Sequence, residues 1–264
     1  MKIFDGIEFV GLGMYTNKTL IVSDFHMGYE EGLNKKGILV PRFQFSETIK
    51  RLDSMFARLK RKRIEKIIVN GDLKHEFGSI SDQEWRHTLK LLDYFSERCK
   101  EIILVEGNHD KILEPIAKKR NVRVVDYYVI ESANNRKKAL KSKKTLNLKS
   151  TNKKIKNSNI LVIHGDKIPD KKLLEGVSTI VIGHEHPAVS IEESPRIELF
   201  KAFLIGKWKR KNLIVLPSFN LVTEGNDVIN ERRLSPFLKG NLKNFEVVIA
   251  ADKLYRFGKV KDLN

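Results

Sequence analysis

Five short apolar runs, each passing directly into a polar motif, constrain this chain more than any other feature. Leu20-Ile21-Val22 leads into Asp24-Phe25-His26, and Ile67-Ile68-Val69 into Gly71-Asp72-Leu73-Lys74-His75. Ile102-Ile103-Leu104-Val105 leads into Gly107-Asn108-His109-Asp110, and Ile160-Leu161-Val162-Ile163 into His164-Gly165-Asp166. Thr179-Ile180-Val181-Ile182 leads into Gly183-His184-Glu185-His186. Apolar runs of this length read as buried strands. Open α/β sheets bind their ligands where such strands end. Six of the seven histidines fall in these motifs. Asp, His and Asn gathered without a thiolate make a site for hard or borderline divalent metals.

The remaining composition sets bounds. A chain of 264 residues can bury a substantial core, and no internal repeat or clear domain boundary divides it. One domain over residues 1–264 is therefore expected. The single cysteine, Cys99, excludes an intramolecular disulfide framework. The start, Met1-Lys2-Ile3-Phe4-Asp5, lacks a signal-like apolar core, and no stretch approaches the ~20 apolar residues of a membrane span. A soluble, cytoplasmic setting away from membranes is the expectation. The net charge is +17, and ten of the basic residues lie in Ser132–Ser158, which contains no acid. That segment is too poor in apolar residues to offset its ordering entropy. It reads as a mobile insertion at about 132–158, either a solvated loop or an electrostatic arm for polyanions.

Helical patterning is confined to the first half. Phe45, Ile49, Leu52, Met55, Phe56 and Leu59 form one apolar stripe across Phe43–Lys60. Ser81-Asp82-Gln83-Glu84 has the form of a capping box and opens a helix with Trp85, Leu89, Leu92 and Phe95 on one face. His87 lies off that stripe and reads as a surface residue. Val122–Ile130 reads as two short strands or one bent one. Strands follow at Ala188–Ile191, Ile197–Leu204 and Leu213–Leu216, with a hairpin turn region over Gly206–Asn212. Phe245–Ala250 and Leu254–Phe257 are expected to pair across Ala251–Lys253. Strands and helices in alternation, followed by strands, predict an α/β sandwich of two facing sheets with helices outside.

Taken in order, Asp-x-His, Gly-Asp, Gly-Asn-His-Asp, a later His and Gly-His-x-His resemble the calcineurin-like metallophosphoesterase superfamily. The motifs span Asp24 to His186. The resemblance implies the superfamily's fold, two mixed sheets flanked by helices in a four-layer αββα sandwich. It also implies two divalent cations, Mn²⁺ favoured, with Zn²⁺ or iron as alternatives. By position, Asp24, His26, Asp72 and His186 would hold one, and Asp72, Asn108, His164 and His184 the other. Asp72 would bridge, since a carboxylate offers two anionic oxygens. His109 matches the family's non-ligand histidine, a proton donor to the leaving oxygen or a stabiliser of phosphate charge. Asp110 would orient it or cap the loop, and Asp166 would fix the tautomer of His164.

The resemblance also shapes the expected substrate. Protein Ser/Thr phosphatases of the superfamily carry Asp-Arg where this chain has His75-Glu76, which weakens that reading. Ser23–Glu30 together with Asn70–Gly78 look most like an archaeal branch of small phosphoesterases. That branch is similar to double-strand-break-repair nucleases and to ligase- or helicase-associated ones. His75 would contact substrate phosphate or support a ligand, and Lys74 would contact phosphate or face solvent. The loop Pro217-Ser218-Phe219-Asn220 resembles one found near the site in relatives. A phosphodiesterase acting on nucleic acid or nucleotides through a metal-activated water is the leading expectation. A helicase or repair partner is suggested by resemblance alone. The alternatives are a phosphomonoesterase or pyrophosphatase, and a non-catalytic binding module with structural metals.

Overall fold

In the computed structural model, which describes residues 1–4, 6–78, 80–131, 159–193 and 195–263, the chain forms two sheets. The first contains β1 (Lys2–Phe4), β2 (Ile7–Val10), β3 (Gly13–Thr16), β4 (Thr19–Val22), β5 (Lys66–Asn70), β6 (Glu101–Val105) and β7 (Arg123–Val125), paired in sequence order. β1 to β4 form an antiparallel meander, whereas β4 to β7 run parallel. The parallel connections carry α1 (Tyr29–Lys35), α2 (Gln44–Arg58), α3 (Asp82–Ser96) and α4 (Glu114–Lys119).

The second sheet holds β8 (Tyr127–Ile130), β9 (Asn159–Ile163), β10 (Val177–Ile182), β11 (Pro187–Glu193), β12 (Arg196–Trp208), β13 (Lys211–Val215), β14 (Asn226–Asp227), β15 (Glu246–Ala250) and β16 (Leu254–Lys259). β9, β10 and β13 are parallel, and their neighbours antiparallel. The two strands expected in Val122–Ile130 are β7 and β8, one in each sheet, so the chain changes layer at Asp126.

Alternation along the second sheet's strands builds two cores. Ile160, Val162, Phe203 and Ile205 face the first sheet, where Phe203 stacks on Phe9 with ring centroids 3.9 Å apart. Leu161, Ile163, Ala202 and Leu204 face outward and pack with Phe237, Leu238, Phe245 and Val260. The sandwich is therefore as expected, but among the described residues its outer cover on this side is irregular chain and 3₁₀ turns at Lys171–Leu174, Pro236–Leu238 and Val260–Asp262. Both helix patterns read from the sequence are present. α2 matches the apolar stripe, and Ser81 with Glu84 makes both reciprocal bonds of the capping box.

The hairpin after β12 falls within the expected Gly206–Asn212 stretch, with both strands running further into it. β12 continues through Gly206 to Trp208, and the turn is Lys209-Arg210, with φ of 44° and 66°. Two left-handed residues make the tight turn that matches strand twist, but Lys-Arg carries no Asn-Gly-type signal. Gly206 is needed for approach instead, since a Cβ there would lie 2.4 Å from the Phe245 ring. The lysine-rich insertion lies outside the described residues. No described helix is long and apolar enough to cross a membrane.

Candidate metal centre

Each of the five motifs begins at the C-terminal end of a parallel strand: β4, β5 and β6 in one sheet, β9 and β10 in the other. Facing sheets therefore bring their strand ends to one place. The loops after β4 and β5 stay paired past the strands, through Asp24 N–H to the Gly71 carbonyl and His26 N–H to the Asp72 carbonyl. Asp24, His26, Asp72, His184 and His186 all adopt positive φ, between 47° and 63°. A left-handed residue other than glycine costs about 1–2 kcal/mol, and such strain persists only where the surroundings over-determine it. Here it re-aims alternate residues. Asp24 and His26 enter the site while Phe25 stacks in the core on Phe219, 4.6 Å between centroids. His184 and His186 enter it while buried Glu185 accepts from the Leu234 and Ser235 amides and from Asn226.

The result is two donor groups that share Asp72, with His26, His75 and His109 gathered as a third beside them. In one, His26 Nε2 lies 3.2 Å from His186 Nε2 and 3.6 Å from Asp72 Oδ2, and His186 Nε2 lies 3.5 Å from Asp24 Oδ1. In the other, His164 Nε2 lies 3.0 Å from Asn108 Oδ1, 3.2 Å from His184 Nδ1 and 3.4 Å from Asp72 Oδ2. Donors about 2.1 Å from a shared ion sit about 3.0–3.4 Å from one another. Imidazole nitrogens facing each other at this range also lack an acceptor, which a cation between them would supply. The residues present thus fit divalent metal.

Electrostatics agree. Burial and the neighbouring His186 push the His26 imidazole well below its ordinary value, so it presents a lone pair. Burial acts the same way on His164. There it is outweighed by the hydrogen bond and charge of Asp72 with Asp24 beyond, which hold that ring up to about 9. Burial would raise the Asp72 carboxyl, but His164 and His26 hold it below the usual carboxylate range. A field that draws protons onto a buried imidazole draws metal cations as well.

The structure decides between the alternatives for Asp110 and gives His164 a different acceptor from the one expected. Asp72 Oδ2 lies within 3.6 Å of a nitrogen in each group, and Oδ1 accepts the His109 backbone N–H at 2.9 Å. Asp110 makes no described bond to the His109 ring. Its carboxylate accepts backbone N–H groups from Leu73, Lys74 and Gly107, so it serves the loops, and burial followed by the charge of Asp72 lifts it to about 7. The His75 carbonyl takes His109 Nδ1 instead. Asp166 makes no described hydrogen bond, and His164 Nδ1 lies 3.3 Å from the Asn70 carbonyl. In both cases a backbone carbonyl takes the ring nitrogen, that of Asn70 at the end of β5 and that of His75 in the loop after it.

The flanking residues are placed as follows. His75 Nδ1 lies 3.5 Å from His26 Nδ1, behind the ring that faces the donor group. Burial, then the proximity of His109, lowers His75 to about 4. The side chain of Lys74 is buried, with its ammonium on the Glu76 carbonyl. Half-buried His87 stacks on Phe45, away from the site. The Pro217–Asn220 loop does lie at the site: Ser218 donates to the Asp24 carbonyl at 2.9 Å, and Asn220 Oδ1 accepts from Gln44.

Two supports carry no motif signal. Buried Gln44 donates to the Phe25 and His26 carbonyls. Buried Glu84 accepts the N–H groups of His75 and Glu76 as well as that of Ser81. Only its capping-box spacing was visible in sequence. Glu84→Ala leaves three amides without an acceptor, and a loss of about 3 kcal/mol or more is expected in urea unfolding. The motif glycines admit close approach. A Cβ on Gly183 would lie 1.9 Å from Ser23 Oγ and 2.4 Å from Asp24 Oδ2. Gly183→Ala should therefore lower metal content measured by elemental analysis while circular dichroism still reports the fold.

The calcineurin-like phosphoesterase family model matches residues 18–251. In structure the chain is similar to a nuclease MPE from Pseudomonas putida, with 17% identity, 95% of this chain and 94% of that one covered, and a TM-score of 0.57. A protein from Aquifex aeolicus aligns at 18% identity over 63% of this chain and 77% of its own, with a TM-score of 0.36. Zinc-bound Vps29 from Entamoeba histolytica aligns at 16% identity over 91% and 98%, with a TM-score of 0.34. No curated protein sequence matches. With the family model covering most of its length and the motif residues gathered at one strand-end site, the chain belongs to the calcineurin-like phosphoesterases, metal-dependent enzymes that cleave phosphoester bonds.

Proposed function

We propose that the protein is a two-metal phosphodiesterase acting on nucleic acid or nucleotides. The observation that carries the reading is the position of Asp72 Oδ2. It lies 3.6 Å from His26 Nε2, 3.4 Å from His164 Nε2 and 3.9 Å from His109 Nε2. One buried anionic oxygen thus serves both donor groups and stands beside a histidine that belongs to neither. In this reading Asp24, His26, Asp72 and His186 hold one ion, and Asp72, Asn108, His164 and His184 the other. Mn²⁺ suits the mixed oxygen and imidazole donors, as do Zn²⁺ and iron. Bound there, divalent ions supply Lewis acidity to the phosphoryl oxygens and acidify the attacking water.

The chain's own groups do the rest. The His75 carbonyl occupies His109 Nδ1, so the proton His109 exchanges sits on Nε2. That nitrogen is the group placed to protonate the leaving oxygen. Asp72 Oδ2 lies 3.9 Å from that nitrogen. The Ser23 hydroxyl, 2.6 Å from Asp24 Oδ2, and the His184 amide at 3.1 Å orient the Asp24 carboxylate.

A diester substrate that is itself a polyanion accords with a net charge of +17. The likeness in fold to a nuclease points the same way. The test is turnover of bis(p-nitrophenyl) phosphate, p-nitrophenyl phosphate and single-stranded DNA and RNA, with and without Mn²⁺, alongside elemental analysis. Metal-dependent cleavage of diesters over the monoester is expected. Two bound ions with no diester turnover would overturn the reading.

A further inference from the structure

Phe77 is an aromatic side chain at the site for which the metal centre has no use. Its ring is 56% exposed, and its centroid lies 3.6 Å from that of His109, with the planes at 31°. Single exposed apolar residues are ordinary on a protein surface. This one differs in how it is held. Glu84 fixes the amides of His75 and Glu76, the Lys74 ammonium takes the Glu76 carbonyl, and the His75 carbonyl takes His109. The backbone leading to Phe77 is thus pinned on three sides. A largely exposed ring is presented against the imidazole that meets the leaving oxygen.

We infer that Phe77 is a stacking platform for an unpaired nucleobase on the leaving side of the scissile phosphodiester. The inference rests on the phosphodiesterase reading and adds a substrate class to it. His109 Nε2 must approach the leaving oxygen, so a ring in contact with the same imidazole neighbours the nucleotide that departs. Every base offers a π-face, so stacking selects for the presence of a base and tolerates its identity. Bases inside a duplex already have both faces covered, and the platform therefore favours single strands or frayed ends. No base-edge donor is required of the protein.

A plain cover for His109 would predict the same structure, and binding separates the two roles. The probes are fluorescein-labelled, phosphorothioate-linked oligothymidine, which resists cleavage, and a strand of equal length built from abasic tetrahydrofuran residues. Both are titrated into the Mn²⁺-loaded protein. The wild type is expected to bind the base-bearing strand about tenfold more tightly. Phe77→Ala should erase that preference while affinity for the abasic strand stays within about twofold. Phe77→Trp should retain it, and the introduced indole should be quenched by the base-bearing strand alone. No base preference in the wild type, equal weakening of both strands by Phe77→Ala, or no binding of either strand overturns the inference. Failure of the phosphodiesterase reading shows elsewhere, as lack of turnover of ordinary phosphate-linked strands, and leaves the binding comparison intact.

Discussion

Asp72→Asn should strip the centre of metal and lower diester turnover by about 10³-fold or more. The size follows from losing several kcal/mol of Lewis-acid stabilisation, at 1.36 kcal/mol per tenfold in rate. The substitution is nearly isosteric, and its effect follows from hydrogen-bond accounting. Oδ1 accepts the His109 N–H at 2.9 Å, so the amide oxygen of Asn must occupy that position. The amide NH₂ then takes the place of Oδ2, the atom between His26 Nε2 and His164 Nε2. An NH₂ group has no lone pair to offer and directs two donors into the space between the groups. Removal of the anion also withdraws the charge that holds His164 up. Elemental analysis of the purified variant checks this, and two ions per chain in Asp72→Asn would refute the shared-oxygen arrangement. Asp166→Asn is the control. That carboxylate makes no described hydrogen bond, so metal and turnover should stay near wild type.

Motif placement was legible in the sequence because it rests on local periodicity. Uninterrupted β-branched and apolar runs such as Ile67–Val69 and Ile160–Ile163 read as strands buried on both faces, which places the polar residues after them at strand ends. Gathering six histidines and the acids between them followed from that placement and from the family resemblance. The partners of those residues were not legible. The tautomers of His109 and His164 are set by the carbonyls of His75 and Asn70, and backbone acceptors leave no mark on residue type. Adjacency to His109 left Asp110 open between an orienting acid and a loop cap, and its carboxylate turns to the amides of Leu73, Lys74 and Gly107. Gln44 sits far from every motif in sequence and reaches the site only because α2 starts beneath the loop after β4. The β1–β3 meander was missed because strands of three or four residues show too little alternation to register. The Gly206–Asn212 hairpin was expected, but not which two residues turn, because the geometry of Lys209-Arg210 comes from the strands it joins.

His109→Ala should keep both ions and slow cleavage of nucleic acid by about 10²–10⁴-fold, the usual loss for a general acid. Metal retention is expected because His109 holds Asp72 Oδ1 through its backbone amide, which alanine preserves. The fall in rate is expected because Nε2, 3.9 Å from Asp72 Oδ2, is the proton-bearing atom nearest the shared oxygen that no metal claims. The leaving group decides between the two roles open to this ring. A nucleoside oxygen needs a proton as it departs, whereas p-nitrophenolate leaves readily without one. If His109 is the acid, the loss on an oligonucleotide should exceed that on bis(p-nitrophenyl) phosphate by at least about tenfold. If it only stabilises phosphate charge, the two losses should match. A variant that loses its metals would instead place His109 among the ligands, which its Nδ1 bond to the His75 carbonyl argues against.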